Sequence, residues 1–477
     1  MASPVSDPAA LQRAIALLES IAEDRAVLAE VDPEIRKRLL MAAGQVARPS
    51  PRDRRQLAKA QRKRDRERAR VANRALLDRT GIRVLRANPL FQTPRHSDKE
   101  ASPPLLGSTE HARICYVCRK KFTEVHHFYD QLCSDCGDFN HSKRSPTADL
   151  SGRVALVTGS RVKIGFQAAV LLLRSGCSVV VTTRFPQDAA RRYAALPDFE
   201  EHRDRIQIMG IDLRQVPRVE ALCTTLLQRL DRLDFIINNA CQTVRRPPGF
   251  YGHLIEAERS GPALTADAQG LVVASEREVV GELTQVPMLP EDVTTSELLF
   301  PAGRLDADEQ QVDLREVNSW RLRMQEVSTL ELLEVHLVNA VAPFILNARL
   351  APLMARVPTA DKHIVNVSAM EGQFYRILKS DKHPHTNMAK AALNMLTRTA
   401  SLDVIEQGIH MNAVDTGWVT DEDPVHHAER KREQHGFHPP LDIVDGAARI
   451  VDPIFAGIQT GEHVWGQFLK DYKPTDW

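Results

Sequence analysis

Four cysteines carry the most specific chemical signal in the sequence. Cys115, Cys118, Cys133 and Cys136 are spaced C-x2-C-x14-C-x2-C, so two tight turns can each present a pair of thiolates. Four thiolates at one point form a closed tetrahedral donor set, which predicts a structural zinc ion. A segment this short has too little apolar mass to fold unaided, so the metal would supply much of its folding free energy.

This segment has two other interpretations, histidine ligation of the metal and redox sensing. His126 and His127 lie between the cysteine pairs and are alternative ligands, but four cysteines already complete the coordination, so we expect the histidines to be surface or packing residues. Redox sensing by a CxxC pair is the other interpretation, and the four-cysteine spacing argues against it.

A second signal is the stretch 153–165, which reads RVALVTGSRVKIG. Its apolar run predicts a buried parallel strand, and the pattern from residue 166 to 174 predicts a helix, so Gly159 and Gly165 lie in a strand-turn-helix unit. Such a turn points backbone N–H groups and a helix N-terminus at one spot, where a dinucleotide pyrophosphate can bind. Glycine is required there because a side chain would hold the phosphates off the backbone.

Several segments must position this turn. Apolar strands are predicted at 178–182, 206–212 and 233–240, and the later segments are 336–344, 363–370, 389–401 and 409–420. In this order and at these positions, the segments resemble the short-chain dehydrogenase/reductase family from about residue 150 to residue 477. The resemblance implies an α/β fold with a doubly wound, Rossmann-like parallel sheet.

The resemblance also implies a set of cofactor contacts. Lys163 replaces the middle glycine of the family's TGxxxGxG pattern, which would put cations at Lys163 and Arg161 near the phosphates. Arg184 replaces the usual ribose-binding carboxylate, and because a guanidinium pairs with a 2′-phosphate, NADP is favoured over NAD. The implied contacts are Thr158, Gly159, Arg161, Lys163, Ile164, Gly165, Arg184, Asp212, Leu213, Asn239, Ala240, Lys390, Gly417 and Thr420.

The catalytic positions match the family with one exception. Asn339 matches the asparagine that holds a proton-relay water, Ser368 matches the serine that binds the substrate oxygen, and Lys390 matches the lysine that binds the ribose. The tyrosine expected four residues before that lysine is Thr386. A threonine hydroxyl is a far weaker acid than a phenol, and one nearby ammonium shifts a pKa by only a few units.

Three explanations for Thr386 stay open. His383 stands seven residues before Lys390, the spacing at which divergent enoyl reductases of the family carry their tyrosine, and an imidazolium is a competent acid. Tyr375 could reach in from the loop after Ser368. The third explanation is loss of hydride chemistry with retention of nucleotide binding.

Length and charge predict the domain organisation. At 477 residues the chain exceeds one ordinary domain, and residues 48–86 carry fifteen basic against four acidic side chains. We predict a helical, basic N-terminal segment at 1–87, a linker at 88–110, a four-cysteine zinc module at 111–145, and a short-chain dehydrogenase/reductase domain at 150–477 with an insertion at about 245–328.

The basic segment and the insertion suggest partners. Residues 242–330 carry fifteen acidic and eight basic side chains, so the basic helix predicted at 56–79 could dock on the insertion of its own chain or on an acidic protein partner. Nucleic-acid binding is disfavoured because aromatic residues do not interleave the basic run. Homo-oligomers are usual in the family, and a small-molecule substrate is expected.

The sequence supports two functions from different classes. The first is an NADP-dependent oxidoreductase that exchanges hydride with a carbonyl, a hydroxyl or an activated double bond. The second is an NADP-binding scaffold or redox sensor without hydride chemistry that acts through its zinc and basic modules. No apolar run of about 18 residues and no signal-peptide pattern is present, so a cytoplasmic protein without a membrane span is expected.

Overall fold

A computed structural model describes residues 7–94, 104–273, 280–293, 298–375, 379–420 and 422–477. The chain divides into two compact units, Met1–Asn73 and Arg74–Trp477. The division falls before the predicted end of the N-terminal segment at residue 87. The reason is apolar packing, because fully buried Ile82 belongs to the hydrophobic cluster of the four-cysteine module.

The first unit is helical, as predicted. Its helices are α1 (Pro8–Glu23), α2 (Pro33–Ala47) and the larger part of α3 (Pro51–Leu77). Asp32 begins α2 by accepting hydrogen bonds from the amides of Glu34 and Ile35 at 3.0 and 3.1 Å. Helix α3 begins five residues before its predicted start because Ser50 and Asp53 cap it reciprocally.

The second unit opens with the four-cysteine module. It contains α4 (Gly81–Ala87), the antiparallel strands β1 (Gly107–Ile114) and β2 (Lys121–Val125), and α5 (Ser134–Lys143). Strand β1 crosses the predicted boundary between linker and module at residues 110 and 111, because Gly107 and Ser108 pair with Val125 and Glu124.

An eight-stranded sheet forms the core of the second unit. Its strands are β3 (Val154–Thr158), β4 (Ser178–Thr183), β5 (Ile206–Gly210), β6 (Phe235–Asn238), β7 (Lys362–Ser368), β8 (Ile409–Asp415), β9 (Phe468–Lys470) and β10 (Lys473–Thr475). The spatial order is β10-β9-β8-β7-β6-β3-β4-β5, and every pairing is parallel except that of β9 with β10. The predicted doubly wound parallel sheet is confirmed.

Helices cover both faces of this sheet. The helices of this part of the chain are α6 (Lys163–Arg174), α7 (Pro186–Ala194), α8 (Val216–Arg229), α9 (Pro248–Ser260), α10 (Ala266–Leu271), α11 (Pro290–Val293), α12 (Thr329–His336), α13 (Ala342–Ala355), α14 (Pro384–Val404), α15 (Val425–His435) and α16 (Ile443–Thr460). Alternation along β3 sends Ala155 and Val157 to the cluster with α6 and α16, and Leu156 to the cluster with α8 and α13.

The strand order reverses at β3, which pairs with β4 on one side and β6 on the other. The carboxyl ends of β3 and β6 therefore flank a crevice, the place where open α/β sheets bind ligands. Ser368 and Asp415 end β7 and β8, the next two strands along the same edge.

The insertion packs beside this crevice. Glu258 of α9 accepts hydrogen bonds from the first amides of α7, at Gln187 and Asp188. Val273 donates its amide to the Ile208 carbonyl at 2.9 Å and so extends the sheet beyond β5. These contacts fix the insertion to the half of the sheet that carries the glycine turn.

One helical stretch, Thr329–Ala355, has the length and apolar composition of a membrane span, and 44% of its most apolar window is buried. Core helices of globular domains share that composition. Leu346, Leu350 and Leu353 of this stretch are fully buried against the sheet.

Candidate nucleotide-binding site

The glycine turn after β3 is locked to the end of β6. The Asn239 side-chain amide donates to the carbonyl oxygens of Thr158 and Gly159 at 3.0 and 3.1 Å, and the Thr158 hydroxyl accepts from the Ala240 amide at 3.0 Å. A Cβ on Gly165 would lie 2.3 Å from Asn239 Nδ2, and one on Gly159 would lie 2.8 Å from Ala240 Cα. Both positions therefore require glycine for close backbone approach.

A cavity of about 510 Å³ opens beside this turn. Eleven of the residues predicted to contact the cofactor line it: Gly159, Arg161, Lys163, Ile164, Gly165, Arg184, Asp212, Leu213, Asn239, Ala240 and Thr420. Thr158 lies beneath the turn as its hydrogen-bond partner, and Gly417 packs outside the cavity, where a Cβ would lie 2.5 Å from Leu441 Cδ1.

Arg184 meets the insertion inside the cavity. Its guanidinium lies 4.6 Å from the ring centroid of Tyr251 and donates to the Tyr251 hydroxyl at 2.9 Å. Arg246 of the insertion also lines this wall. The insertion therefore builds one side of the cavity, at the position where the sequence predicts a phosphate contact.

The Asp212 carboxylate forms an ion pair with Arg214. Arg214 contacts it at 2.6 Å and also contacts Glu334 at 2.7 Å. Burial alone would raise the pKa of Asp212, but the hydrogen bonds from Arg214 outweigh it and hold this pKa below its ordinary value. The carboxylate is thus ionised and fixed at the rim of the cavity.

The two cations of the turn differ in their freedom. Arg161 is buried, and its guanidinium donates to Asp188 at 2.5 Å and to Gln310 at 2.7 Å. Its hydrogen-bonding capacity is therefore largely used within the protein. Lys163 is half-buried and adopts φ = +58°, the left-handed conformation that suits the glycine usual at this position.

Lys163→Gly is therefore expected to raise the free energy of unfolding of the unliganded chain, by about 0.5–1 kcal/mol, because it removes the penalty of a left-handed side chain. Equilibrium denaturation in urea measures this change. Lys163→Ala, which keeps a Cβ in the same conformation, is the matched control and should give no such gain. A loss of stability in the glycine variant would contradict the backbone argument.

The predicted catalytic residues gather at the carboxyl end of β7. Thr386, Lys390 and Asn394 lie on one face of α14 at successive i, i+4 positions. Ser368 donates its hydroxyl to Asn394 Oδ1 at 2.5 Å, and the Lys390 ammonium donates to the Val367 carbonyl at 2.7 Å. All four side chains are buried, and none of them lines the 510 Å³ cavity.

Thr386 has an unusual environment. Its hydroxyl is buried and has no hydrogen-bond partner among the residues that the structure describes. Asn339 lies in a short π-helical turn between α12 and α13, and both ends of its amide bind the backbone of Gln242, at 2.7 and 3.1 Å. Gln242 in turn lines the cavity, so Asn339 connects the cavity wall to the helix before β7.

The two other candidate acids have different surroundings. The His383 ring stacks on Trp320 with a centroid separation of 4.0 Å, and burial lowers its pKa, so the imidazole is neutral near pH 7. Tyr375 is 84% exposed and lines a separate surface cavity with Phe374 and Trp477. The structure thus brings Ser368, Thr386 and Lys390 together and leaves Tyr375 outside.

Asp415 is the titratable group that sequence reasoning missed. It pairs in register with Ser368 across two parallel strands, so the two side chains leave the sheet on the same face. Its carboxylate accepts the amides of Met370 and Gly417 at 3.1 and 3.2 Å. Burial raises its pKa to about 6. The available signal was an acidic residue at the end of an apolar strand, in NAVDTG.

The four predicted metal ligands also converge. The sulfur atoms of Cys115, Cys118, Cys133 and Cys136 all lie within 4.8 Å of one another. Cys118 and Cys133 are 3.7 Å apart at sulfur. A tetrahedron with metal–sulfur bonds of about 2.3 Å places its sulfurs about 3.8 Å apart, so the donor set fits zinc. His126 is occupied elsewhere, because its Nδ1 accepts the amides of Phe128 and Tyr129.

Comparison with known proteins places the chain in a family. A family model described as short chain dehydrogenase matches residues 153–250, and one described as enoyl-(acyl carrier protein) reductase matches residues 318–438. Uncharacterized protein R665 of Acanthamoeba polyphaga mimivirus is 32% identical over 355 residues, which is 72% of this chain and 71% of that protein. The chain belongs to the short-chain dehydrogenase/reductase family.

Other members of this family match shorter regions. Dehydrogenase/reductase SDR family member 13 of Bos taurus is 34% identical over 123 residues, 24% of this chain and 31% of that protein. The crystal structure of an NADPH-bound carbonyl reductase from chicken fatty liver covers 69% of this chain and 100% of its own, at 18% identity and a TM-score of 0.43. Family membership gives the chain a general dehydrogenase/reductase role.

The family matches leave residues 251–317 unmatched. This gap lies within the insertion, and the insertion supplies Tyr251 and Gln310 to the cavity wall. The insertion therefore supplies a wall of the cavity that lies outside both family-model matches.

Proposed function

We propose that the protein binds NADP(H) in the cavity beside the glycine turn and exchanges hydride with a carbonyl, a hydroxyl or an activated double bond. The bound nicotinamide supplies or accepts the hydride. One observation supports the proposal: the Lys390 ammonium donates to the Val367 carbonyl next to Ser368, and Thr386 lies one turn before Lys390 on α14. The carboxyl end of β7 lies two strands from the glycine turn. Two strand spacings amount to about 10 Å.

The cavity suits a phosphorylated dinucleotide. Gly159 and Gly165 both line the cavity, and because a Cβ at either position would collide with protein atoms, the glycines let the turn pack closely against the end of β6. Arg184, oriented by Tyr251, together with Arg246, offers guanidinium groups to a 2′-phosphate. This arrangement favours NADP over NAD.

Proton transfer needs a group other than tyrosine. Ser368 and Thr386 offer hydroxyls that can orient a substrate oxygen, but neither is an adequate acid. Asp415 lies beside Ser368 in the sheet, and burial raises its pKa to about 6. We assign Asp415 the proton that is delivered through the Ser368 hydroxyl to a carbonyl oxygen as hydride reaches its carbon.

The substrate class is tested by hydride exchange. The full-length, zinc-loaded protein is incubated with NADPH and a panel of aldehydes, ketones and activated alkenes, and reduced nicotinamide is followed by its absorbance. Consumption of NADPH that depends on one class of acceptor is the expected result. Stoichiometric NADPH binding without exchange to any acceptor would contradict the catalytic part of the proposal.

Arg184→Ala is expected to weaken NADPH binding by roughly 10- to 100-fold, because a hydrogen bond to a charged phosphate contributes about 1.5–3 kcal/mol. The affinity for NADH, which lacks the 2′-phosphate, should change little. Calorimetric titration of both nucleotides measures the ratio. The matched control is Arg229→Ala, an exposed arginine at the end of α8. Equal losses for NADPH and NADH would refute the assignment of Arg184.

A second function is favoured by a different observation. Ser368, Thr386 and Lys390 are buried and line none of the 510 Å³ cavity, which fits a protein that binds NADP(H) without turning it over. Such a scaffold or sensor would act through its four-cysteine module. The acceptor panel separates the two functions, because the scaffold predicts nucleotide binding and no exchange.

We also propose that Cys115, Cys118, Cys133 and Cys136 hold a structural zinc ion. The sulfur separations support this assignment, and four protein ligands leave no position for a substrate or water. Metal analysis of the purified protein should find one zinc per chain.

A further inference from the structure

We infer that the four-cysteine module holds in place the segment that borders the nucleotide cavity, residues 416–420 and 422–442, so that metal binding at the cysteines strengthens nucleotide binding. We call these residues the bordering segment. The inference rests on the proposed function, because it requires a nucleotide in the cavity. It assigns the module a positioning role that lies beyond structural support of its own fold.

The bordering segment forms one wall of the cavity. It leaves the end of β8, passes the cavity and returns to the start of α16. Thr420, Glu422, Pro424 and Val425 all line the cavity. The Thr420 hydroxyl donates to the Glu422 carboxylate at 2.8 Å. Any displacement of this segment would therefore open this side of the cavity.

Hydrogen bonds from the module reach both ends of the segment. At the start, the Tyr116 hydroxyl accepts the Trp418 amide at 3.0 Å. At the end, the Gln131 side chain donates to the His438 carbonyl, and Arg86 donates to the carbonyls of Pro439 and Leu441 at 2.6 and 2.5 Å. These partners belong to the module and to the adjoining helix α4, and they bind backbone atoms that the segment cannot satisfy by itself.

Apolar packing joins a metal ligand to the same segment. Cys115 is fully buried in a cluster with Val419, Leu441 and Val444. Ile164 of the glycine turn packs on this cluster, and a Cβ at Gly446 of α16 would lie 3.1 Å from its side chain. One continuous apolar contact therefore runs from a metal ligand, through the bordering segment, to the phosphate-binding turn.

A buried charge cluster fixes the module against α16. Arg144 binds Asp442 at 2.7 and 2.9 Å and Asp445 at 2.8 Å, and the Tyr129 hydroxyl donates to Asp445 at 2.5 Å. Asp442 also caps α16 by accepting the amides of Val444 and Asp445. Removing one partner would leave an uncompensated buried charge, so this joint resists displacement while the module is folded.

The metal controls the geometry of these contacts. Tyr116 lies between the ligands Cys115 and Cys118, and Gln131 lies two residues before Cys133. Without metal, the two turns keep their apolar packing and the hydrogen bond from the Tyr116 amide to the Gln131 carbonyl at 3.0 Å but lose the four metal–sulfur bonds. A domain of this size then loses much of its folding free energy. The hydroxyl of Tyr116 and the amide of Gln131 would then lose their fixed positions. Linkage requires that nucleotide binding stabilise the metal site by the same factor.

The experiment uses the full-length chain. NADPH affinity is measured by calorimetry on the zinc-loaded protein and after zinc removal with a chelator, with far-ultraviolet circular dichroism to follow folding. We expect zinc removal to weaken NADPH binding by about 10-fold, within the range typical of coupled sites. The reciprocal measurement should show that saturating NADPH raises the chelator concentration needed to extract half of the zinc, by the same factor.

A milder variant keeps the inference testable if metal removal unfolds the chain. Tyr116→Phe keeps zinc and the aromatic ring but loses the acceptor for the Trp418 amide, and it should weaken NADPH binding by about threefold, the equivalent of one hydrogen bond. Lys121→Ala, on the exposed side of β2, is the matched control and should leave affinity unchanged.

The outcomes separate this inference from the proposed function. Absence of NADPH binding by the zinc-loaded wild type would overturn the proposed function, and the inference with it. Equal NADPH affinity of the zinc-loaded and zinc-free folded protein would overturn the inference alone. Should zinc removal unfold the protein, wild-type affinity in zinc-loaded Tyr116→Phe would overturn it.

Discussion

Lys390→Ala is expected to reduce hydride exchange by about 100- to 10,000-fold, the range for removal of a group that orients reactants or transfers a proton. The side chain is buried on α14, and its ammonium donates to the Val367 carbonyl, next to Ser368. Its loss removes the ammonium that donates to this buried carbonyl. Steady-state turnover of NADPH with the acceptor found in the panel measures the effect.

The control must separate chemistry from folding. Arg398→Ala removes an exposed cation two turns further along α14 and should leave turnover unchanged. Lys390→Met, which keeps most of the side-chain volume, should lose turnover as Lys390→Ala does while unfolding near the wild-type temperature. Wild-type turnover in either Lys390 variant would show that this lysine takes no part in the reaction.

Cys115→Ser is expected to lower the free energy of unfolding by on the order of 5 kcal/mol, part of the roughly 10–16 kcal/mol that a structural zinc ion contributes. Cys115 is fully buried, so the change also places a hydroxyl in the apolar cluster that contains Leu132 and Val444. Zinc content and thermal unfolding of the purified variant report the two effects. We expect less than one zinc per chain and an early unfolding transition of the module.

Cys223→Ala is the matched control for this prediction. Cys223 is also buried, but it lies on α8 in the core of the dinucleotide-binding sheet. Its replacement should cost about 1 kcal/mol and leave the zinc content at one per chain. Full zinc occupancy and near wild-type stability in Cys115→Ser would show that Cys115 does not bind the metal.

The sheet and the turn were predictable because their signals are local. Apolar runs with turn residues between them predicted the strands, and the glycines at 159 and 165 marked the turn by their spacing. Lys163 is one position at which the family pattern predicts the backbone conformation. The family pattern places glycine there, and the backbone keeps the left-handed φ of +58° although the residue is lysine.

The other features of the fold and of the site depend on contacts between residues that are far apart in the sequence. Arg144 and Asp442 are 298 positions apart, and neither residue carries a sequence pattern that predicts their pairing. Arg184 predicted a phosphate contact, but its orientation comes from Tyr251, in an insertion without a family match. Asp415 became a candidate acid only because β8 pairs with β7 in a register that places it beside Ser368.

The same dependence on distant contacts explains why the surroundings of the candidate catalytic residues could not be predicted from the sequence. The resemblance to the family marked Thr386 and Lys390 four residues apart, and both lie on α14. Sequence could not show that both side chains would be buried, or that Tyr375 would lie 84% exposed beside Trp477. Burial depends on the complete packing of α14 against β7 and β8, which no local pattern encodes.

Calorimetric titration of the zinc-loaded, full-length protein with NADPH decides whether the glycine turn holds a nucleotide. We expect one NADPH per chain, bound more tightly than NADH, with binding lost in Gly165→Val because a side chain at this position meets Asn239. The absence of binding at millimolar NADPH, or unchanged affinity in a folded Gly165→Val variant, would contradict the claim that this turn holds the nucleotide.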